Sequence, residues 1–160
     1  MLGFGKPHRP KVVAFDIIGT VFDLEPLRPR LESLGLPDSA LELLYAVALR
    51  DAMALACADR FAPFMTVMKG ALAQILAEKG LSASETEMTD ALAVMRSLPP
   101  HPDAREAFEL LRRAEVRILA LSNGAAAATR ALLEKAGMAD LVEAVLSVDD
   151  VRLSLSLIHI

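Results

Sequence analysis

Three short runs of apolar residues stand out from the rest of the chain: KVVAFDI at 11–17, VRILALSN at 116–123 and EAVLSVDD at 143–150. None alternates apolar with polar positions, which is the pattern of parallel strands covered on both faces. Between the second and third runs, GAAAATRALLEKAGMADLV has the spacing of a crossover helix that ends near Ala136, with Gly137 as its stop. Ahead of the second run, PDAREAFELLRRAE predicts an amphipathic helix starting at Asp103, with Ala107, Leu110 and Leu111 on one face and Arg105, Glu109 and Arg112 elsewhere. Helix, strand, helix, strand is a doubly wound order, so the expected fold is α/β: a Rossmann-like parallel sheet with right-handed crossovers.

Residues 24–98 interrupt that order and read as helices only. The segments are 38–58, 64–80 with Gly80 as a stop, and 82–98, where Ser84 and Glu87 form a capping-box signature. PPHP at 99–102 ends the last of them, because proline cannot continue a helix. The pattern predicts a core made of 1–23 and 99–154, with 24–98 inserted as an all-helical cap.

Ligands in doubly wound sheets bind outside the carboxyl ends of the strands. Asp16 ends the first strand there, and Ser122, Asn123 and Gly124 end the second. A carboxylate so placed can act as a nucleophile, and Gly19 lets the following loop turn back toward it. Thr20 and Ser122 offer short hydroxyl donors, and Asn123 an amide that can orient a substrate. The competing reading is that Asp16 simply caps a loop. The second strand-end motif and the helical insert weigh against it.

Composition narrows the classes. The 160 residues are 54% hydrophobic and 4% aromatic, with a net charge of −4 and a pI near 5.4. No basic stripe of the kind that binds nucleic acid is present. MLGFGKPHRP lacks the apolar run of a signal peptide, and no stretch approaches the ~20 residues of a membrane span. No nucleic-acid or membrane partner is expected, and the expected compartment is cytoplasmic. The single cysteine, Cys57, has no internal partner and lies among alanines, so it reads as a small core or interface residue of a reduced protein.

The strand ending in Asp16, the Gly19-Thr20 pair, Ser122-Asn123-Gly124 and the later AGMADLVEAVLSVDDVRL together resemble the haloacid dehalogenase superfamily, most closely its type II 2-haloacid dehalogenases, from Lys11 to Leu153. The resemblance implies a Rossmann-like core with a helical cap, and a small-molecule substrate such as a 2-haloacid. It implies Asp16 as a nucleophile forming an ester, Thr20, Ser122 and Asn123 as active-site residues, and Ile17, Ile18 and Gly124 beside the substrate. It implies no cofactor, and a homodimer for the full-length protein. Phosphatase members carry a second aspartate two residues after the nucleophile, because an alcohol leaving group must be protonated. Here that position is Ile18, and a halide needs no proton. The runner-up is a phosphatase-like hydrolase using Mg²⁺, with Asp16 as both nucleophile and ligand.

Matching DRFAPF to the end of the family's long cap helix puts Tyr45 where dehalogenases have an arginine that holds the substrate's anionic end. Arg50, about one and a half turns on, is the other candidate, with an ion pair to Asp51 as its competing role. Phe61 and Phe64 read as core rather than substrate wall. The resemblance also implies a lysine within a few residues of Leu153 and a later acidic or Asn-bearing loop, and the sequence contains neither. LSLIHI at 155–160 matches the translation of a sequencing-adapter end and is expected to be non-native. On that reading the 160-residue chain is a truncated, inactive fragment whose first strand lies at a sheet edge. A third reading is a polypeptide with no function that aggregates.

Overall fold

The computed structural model describes residues 10–148. The expectations for the end of the third strand, the lysine after Leu153 and the tail at 155–160 lie outside the described residues. Three strands, β1 (Val12–Asp16), β2 (Arg117–Ser122) and β3 (Ala144–Ser147), form a parallel sheet in the order β1-β2-β3. The register pairs Asp16 with Leu121 and Ser122 with Ser147, so all three carboxyl ends lie along one rim.

Six α-helices complete the described elements: α1 (Arg28–Glu32), α2 (Ala40–Cys57), α3 (Phe64–Glu78), α4 (Glu85–Leu92), α5 (Ala104–Arg113) and α6 (Ala126–Lys135). The last two are the crossovers to β2 and β3. Two right-handed crossovers that step in the same direction place both helices on the same face of the sheet. That face is buried through Ile118, Ala120 and Ser122, and the Phe15 ring lies 4.8 Å from that of Phe108 on α5. On the opposite face Val12 is 37% exposed and Leu146 47%. The strands are therefore covered on one face among the described residues, not on both as their apolar runs predict. An apolar run fixes what a strand can bury, and the direction of winding fixes which side is filled.

Two smaller expectations change as well, and the Asp103 start of α5 holds. The core stripe of α5 centres on Ala104 and Phe108, and Leu110 is 55% exposed, because 3.6 residues per turn carry it off that stripe. Asp103 is the N-cap of α5 but makes no side-chain cap bond, and its backbone carbonyl accepts from the Ala107 amide. Cys57, the last residue of α2, is exposed, because the buried stripe of that helix runs through Ala40, Leu41, Leu44 and Ala48.

The helical insert is built on the longest buried stripe among the described helices. In α3 the residues Phe64, Val67, Met68, Ala71, Leu72, Ile75 and Leu76 recur at helical spacing, and all are buried. This stripe packs against α2. Gly80 follows α3 at φ +68°, where L side chains are strained. At α4 the capping box is complete: the Ser84 hydroxyl accepts from the Glu87 amide at 3.2 Å, and the Glu87 carboxylate accepts from the Ser84 amide at 2.7 Å. The helix ends at Leu92 and tightens into a 3-10 turn at Ala93–Arg96, so the expected helix over 82–98 is shorter and less regular. A 3-10 turn at Glu25–Leu27 leads into α1 and was not foreseen. Pro26 and Pro29 mask it in the sequence, but both stand in first-turn positions where no amide proton is needed.

The chain leaves the sheet and returns to it side by side. The Asp23 amide donates to the Pro99 carbonyl and the His101 amide to the Val21 carbonyl, each at 2.9 Å. Buried residues of the insert and of the sheet belong to one apolar cluster, which runs from Ile17 and Phe22 through Leu44 and Phe64 to Ile118. No helix among the described residues is long and apolar enough to cross a membrane.

Candidate functional site

The turn after β1 is folded by its own backbone. The Ile17 carbonyl accepts from the Val21 and Phe22 amides at 3.0 and 2.9 Å, and the Gly19 amide donates to the Phe22 carbonyl at 2.8 Å. Gly19 sits at φ +86°, and a Cβ there would lie 3.2 Å from Leu24 Cδ1. Conformation and space both select glycine. Ile17 anchors the turn, with its side chain fully buried in the core.

This turn brings the Thr20 hydroxyl back to Asp16, where it donates to Oδ2 at 2.9 Å. Asp16 is half-buried. Burial pushes its carboxyl above the ordinary aspartate range, and hydrogen bonds from Thr20 and from the Ile17 amide oppose that push. The carboxylate is thus held in one orientation by two donors and is incompletely hydrated, which are the conditions of an activated oxygen nucleophile.

At the end of β2, Ser122 is completely buried, and its hydroxyl oxygen accepts from the Gly124 amide at 3.0 Å. Ser147, its neighbour on β3, donates to the Gly124 carbonyl at 2.9 Å. Two serines from adjacent strands therefore clamp the Ser122–Gly124 turn and set Asn123 at the rim. Asn123 is buried and lines a small cavity of about 20 Å³ together with Phe61, Phe64, Arg60 and Val148. That volume is about one water molecule. Phe64 is buried in the core, as its sequence context predicts, and also lines this cavity.

The insert contributes Tyr45 from α2. Its hydroxyl donates to the Ile18 carbonyl at 2.9 Å, and its ring meets that of Phe64 edge-on at 6.2 Å. Burial, and then the charge of Asp16, push its phenol up to about 12. Arg50 is placed otherwise: its guanidinium pairs with Asp51 at 2.7 Å, bonds the Gln74 amide oxygen at 3.1 Å and is 58% exposed. Two bonded pairs thus meet on one turn, Thr20 with Asp16 and Tyr45 with the Ile18 carbonyl. Ser122, Asn123 and Gly124 stand at the next strand end, and Arg50 is tied to its own helix and to α3. No three His, Cys, Asp or Glu side chains among the described residues are grouped to hold a metal ion.

Ser147 and the Ile18 carbonyl were not singled out in the sequence. The signal for Ser147 is the parallel between LSN at the end of β2 and LSV at the end of β3, which the register confirms as paired serines.

Comparison with known proteins shows the family. The chain is 33% identical over 144 residues to the (S)-2-haloacid dehalogenase of Xanthobacter autotrophicus, covering 89% of this chain and 56% of that protein. The chain thus spans little more than half the length of that relative. The structure of the L-2-haloacid dehalogenase from Xanthobacter autotrophicus with chloropropionic acid covalently bound superposes with a TM-score of 0.80 at 31% identity, over 92% of this chain and 60% of the other. Another L-2-haloacid dehalogenase structure gives a TM-score of 0.84 at 27% identity, over 93% and 68%. The family description that matches residues 10–155 takes in the sheet, the Asp16 turn and the helical insert together, and by it the chain belongs to the haloacid dehalogenase-like hydrolases.

Proposed function

We propose that the protein of which this chain is the sequence hydrolyses the carbon–halogen bond of a short 2-haloacid through Asp16. A carboxylate oxygen of Asp16 attacks C2, and the halide leaves with the bonding pair, giving an aspartyl ester. Water then adds to the ester carbonyl, the 2-hydroxy acid departs, and the carboxylate is restored with loss of a proton to solvent. The sequence needs no acid for the leaving group and no cofactor. Residues 24–98 serve as the cap that shields the ester from bulk water.

The carrying observation is the turn itself. Asp16 is half-buried and aimed by Thr20 and the Ile17 amide, and the position two residues on is Ile18, an aliphatic side chain where proton donation would need an acid. The relative whose structure has chloropropionic acid covalently bound supports the same chemistry.

The test is halide release from 2-chloropropionate by the whole protein, set beside phosphate release from an aryl phosphate. Halide release without phosphate release is expected. Asp16→Asn should lower the rate by at least about a thousandfold, because an amide cannot form the ester. Retention of more than about a tenth of the wild-type rate removes Asp16 from the nucleophile role.

A further inference from the structure

We propose that Tyr45 is a positioning residue: from α2 its hydroxyl pins the Ile18 carbonyl, which fixes the turn that aims Asp16, and it does not hold the anionic end of the substrate. The inference rests on Asp16 being the nucleophile.

A phenol has one proton to donate, and here it goes to the Ile18 carbonyl at 2.9 Å. An arriving carboxylate or halide would have to break that bond and leave a peptide carbonyl without its partner, which is unfavourable in a half-buried place. Ionising Tyr45 would not release it for another task either, since burial and the Asp16 charge keep the phenol protonated to about pH 12. The bond reaches across 27 residues, from the middle of α2 to the turn. It acts where the backbone is most constrained: Gly19 follows at φ +86°, and a Cβ on it would lie 3.9 Å from the Tyr45 hydroxyl. Tyr45 therefore holds the Ile18 carbonyl, while the Val21 and Phe22 amides hold the Ile17 carbonyl one residue earlier. Thr20, which bonds Asp16, is the second residue after Ile18, so loosening Ile18 loosens the donor that aims the nucleophile. The Phe64 ring against Tyr45 fixes the phenol from α3.

The experiment is Tyr45→Phe in the whole protein, which keeps the ring and its contact with Phe64. Three readouts are taken: kcat and KM for 2-chloropropionate, the dissociation constant of propionate, and hydrogen exchange at the Gly19, Val21 and Phe22 amides. The expected result is kcat lower by about tenfold, the equilibrium effect of one lost hydrogen bond, with KM and propionate binding within about twofold of wild type. Exchange at the three amides should be roughly tenfold faster. Weaker propionate binding with an unchanged kcat would make Tyr45 the anion holder and overturn the proposal, as would unchanged exchange. Propionate binding and exchange are read without turnover. They decide the role of Tyr45 even if halide release or the Asp16→Asn result fails the nucleophile reading.

Discussion

Burial raises the pKa of Asp16 above its usual 3.8, so ionising it costs more in the folded chain than in the unfolded one. A carboxyl raised in this way contributes stability that is fully present below pH 3.8 and is lost as the pH rises through the folded value. At neutral pH the Asp16 charge is therefore carried at the expense of the fold. Asp16→Asn, the change proposed to abolish turnover, should raise the melting temperature at pH 7, and the gain should shrink as the pH falls below about 4. Melting curves of the two proteins that stay parallel across that range would contradict this. Gly19→Ala should cost about 1–3 kcal/mol in urea unfolding, since it combines a left-handed backbone with the contact to Leu24. At this scale the sequence shows what is local. Asp16, Thr20, Ser122 and Asn123 announce themselves because strand, carboxylate and glycine turn follow one another within a few positions. The Tyr45 and Ser147 bonds do not, because each ends on a backbone carbonyl, 27 and 23 residues away, whose identity the letter at that position does not encode.

Helix ends follow the same division between local and distant causes. Ser84→Ala removes the hydroxyl that accepts from the Glu87 amide and donates to the Glu87 carboxylate, so unfolding should become easier by about 1 kcal/mol. Ser84→Asp should restore most of that loss, and equal stability of all three proteins would show that the cap does not matter. This box, the Gly80 and Gly137 stops and the stripe of α3 were all legible, since each is a pattern within one helix. The exposure of Leu110 and Cys57 was not, because it depends on which neighbour a helix meets and at what rotation. The α1 turn escaped notice because a proline usually argues against a helix and argues for one only in its first turn.

At the scale of the fold, among the described residues, the sheet is lined by helices on one face, while Val12 and Leu146 stand open on the other. Exposed apolar side chains on one face of a sheet favour association between copies. The 160-residue chain should elute as more than a monomer in size-exclusion chromatography with light scattering, and Leu146→Lys should shift it toward monomer. A wild-type chain that is monomeric at high concentration would refute this. The sequence revealed the parallel sheet and its helical interruption, but not which face stays open, since that depends on the sense of two crossovers taken together. The pairing of Asp16 with Leu121 also has a consequence in time. On a ribosome adding ~5–20 residues per second, the hundred or so residues between them take roughly 5–20 s to appear. For that interval β1 has emerged without its partner strand, while α2 and α3, close neighbours in the chain, can already pack. Asp16 is among the first residues made and among the last to be put in its place.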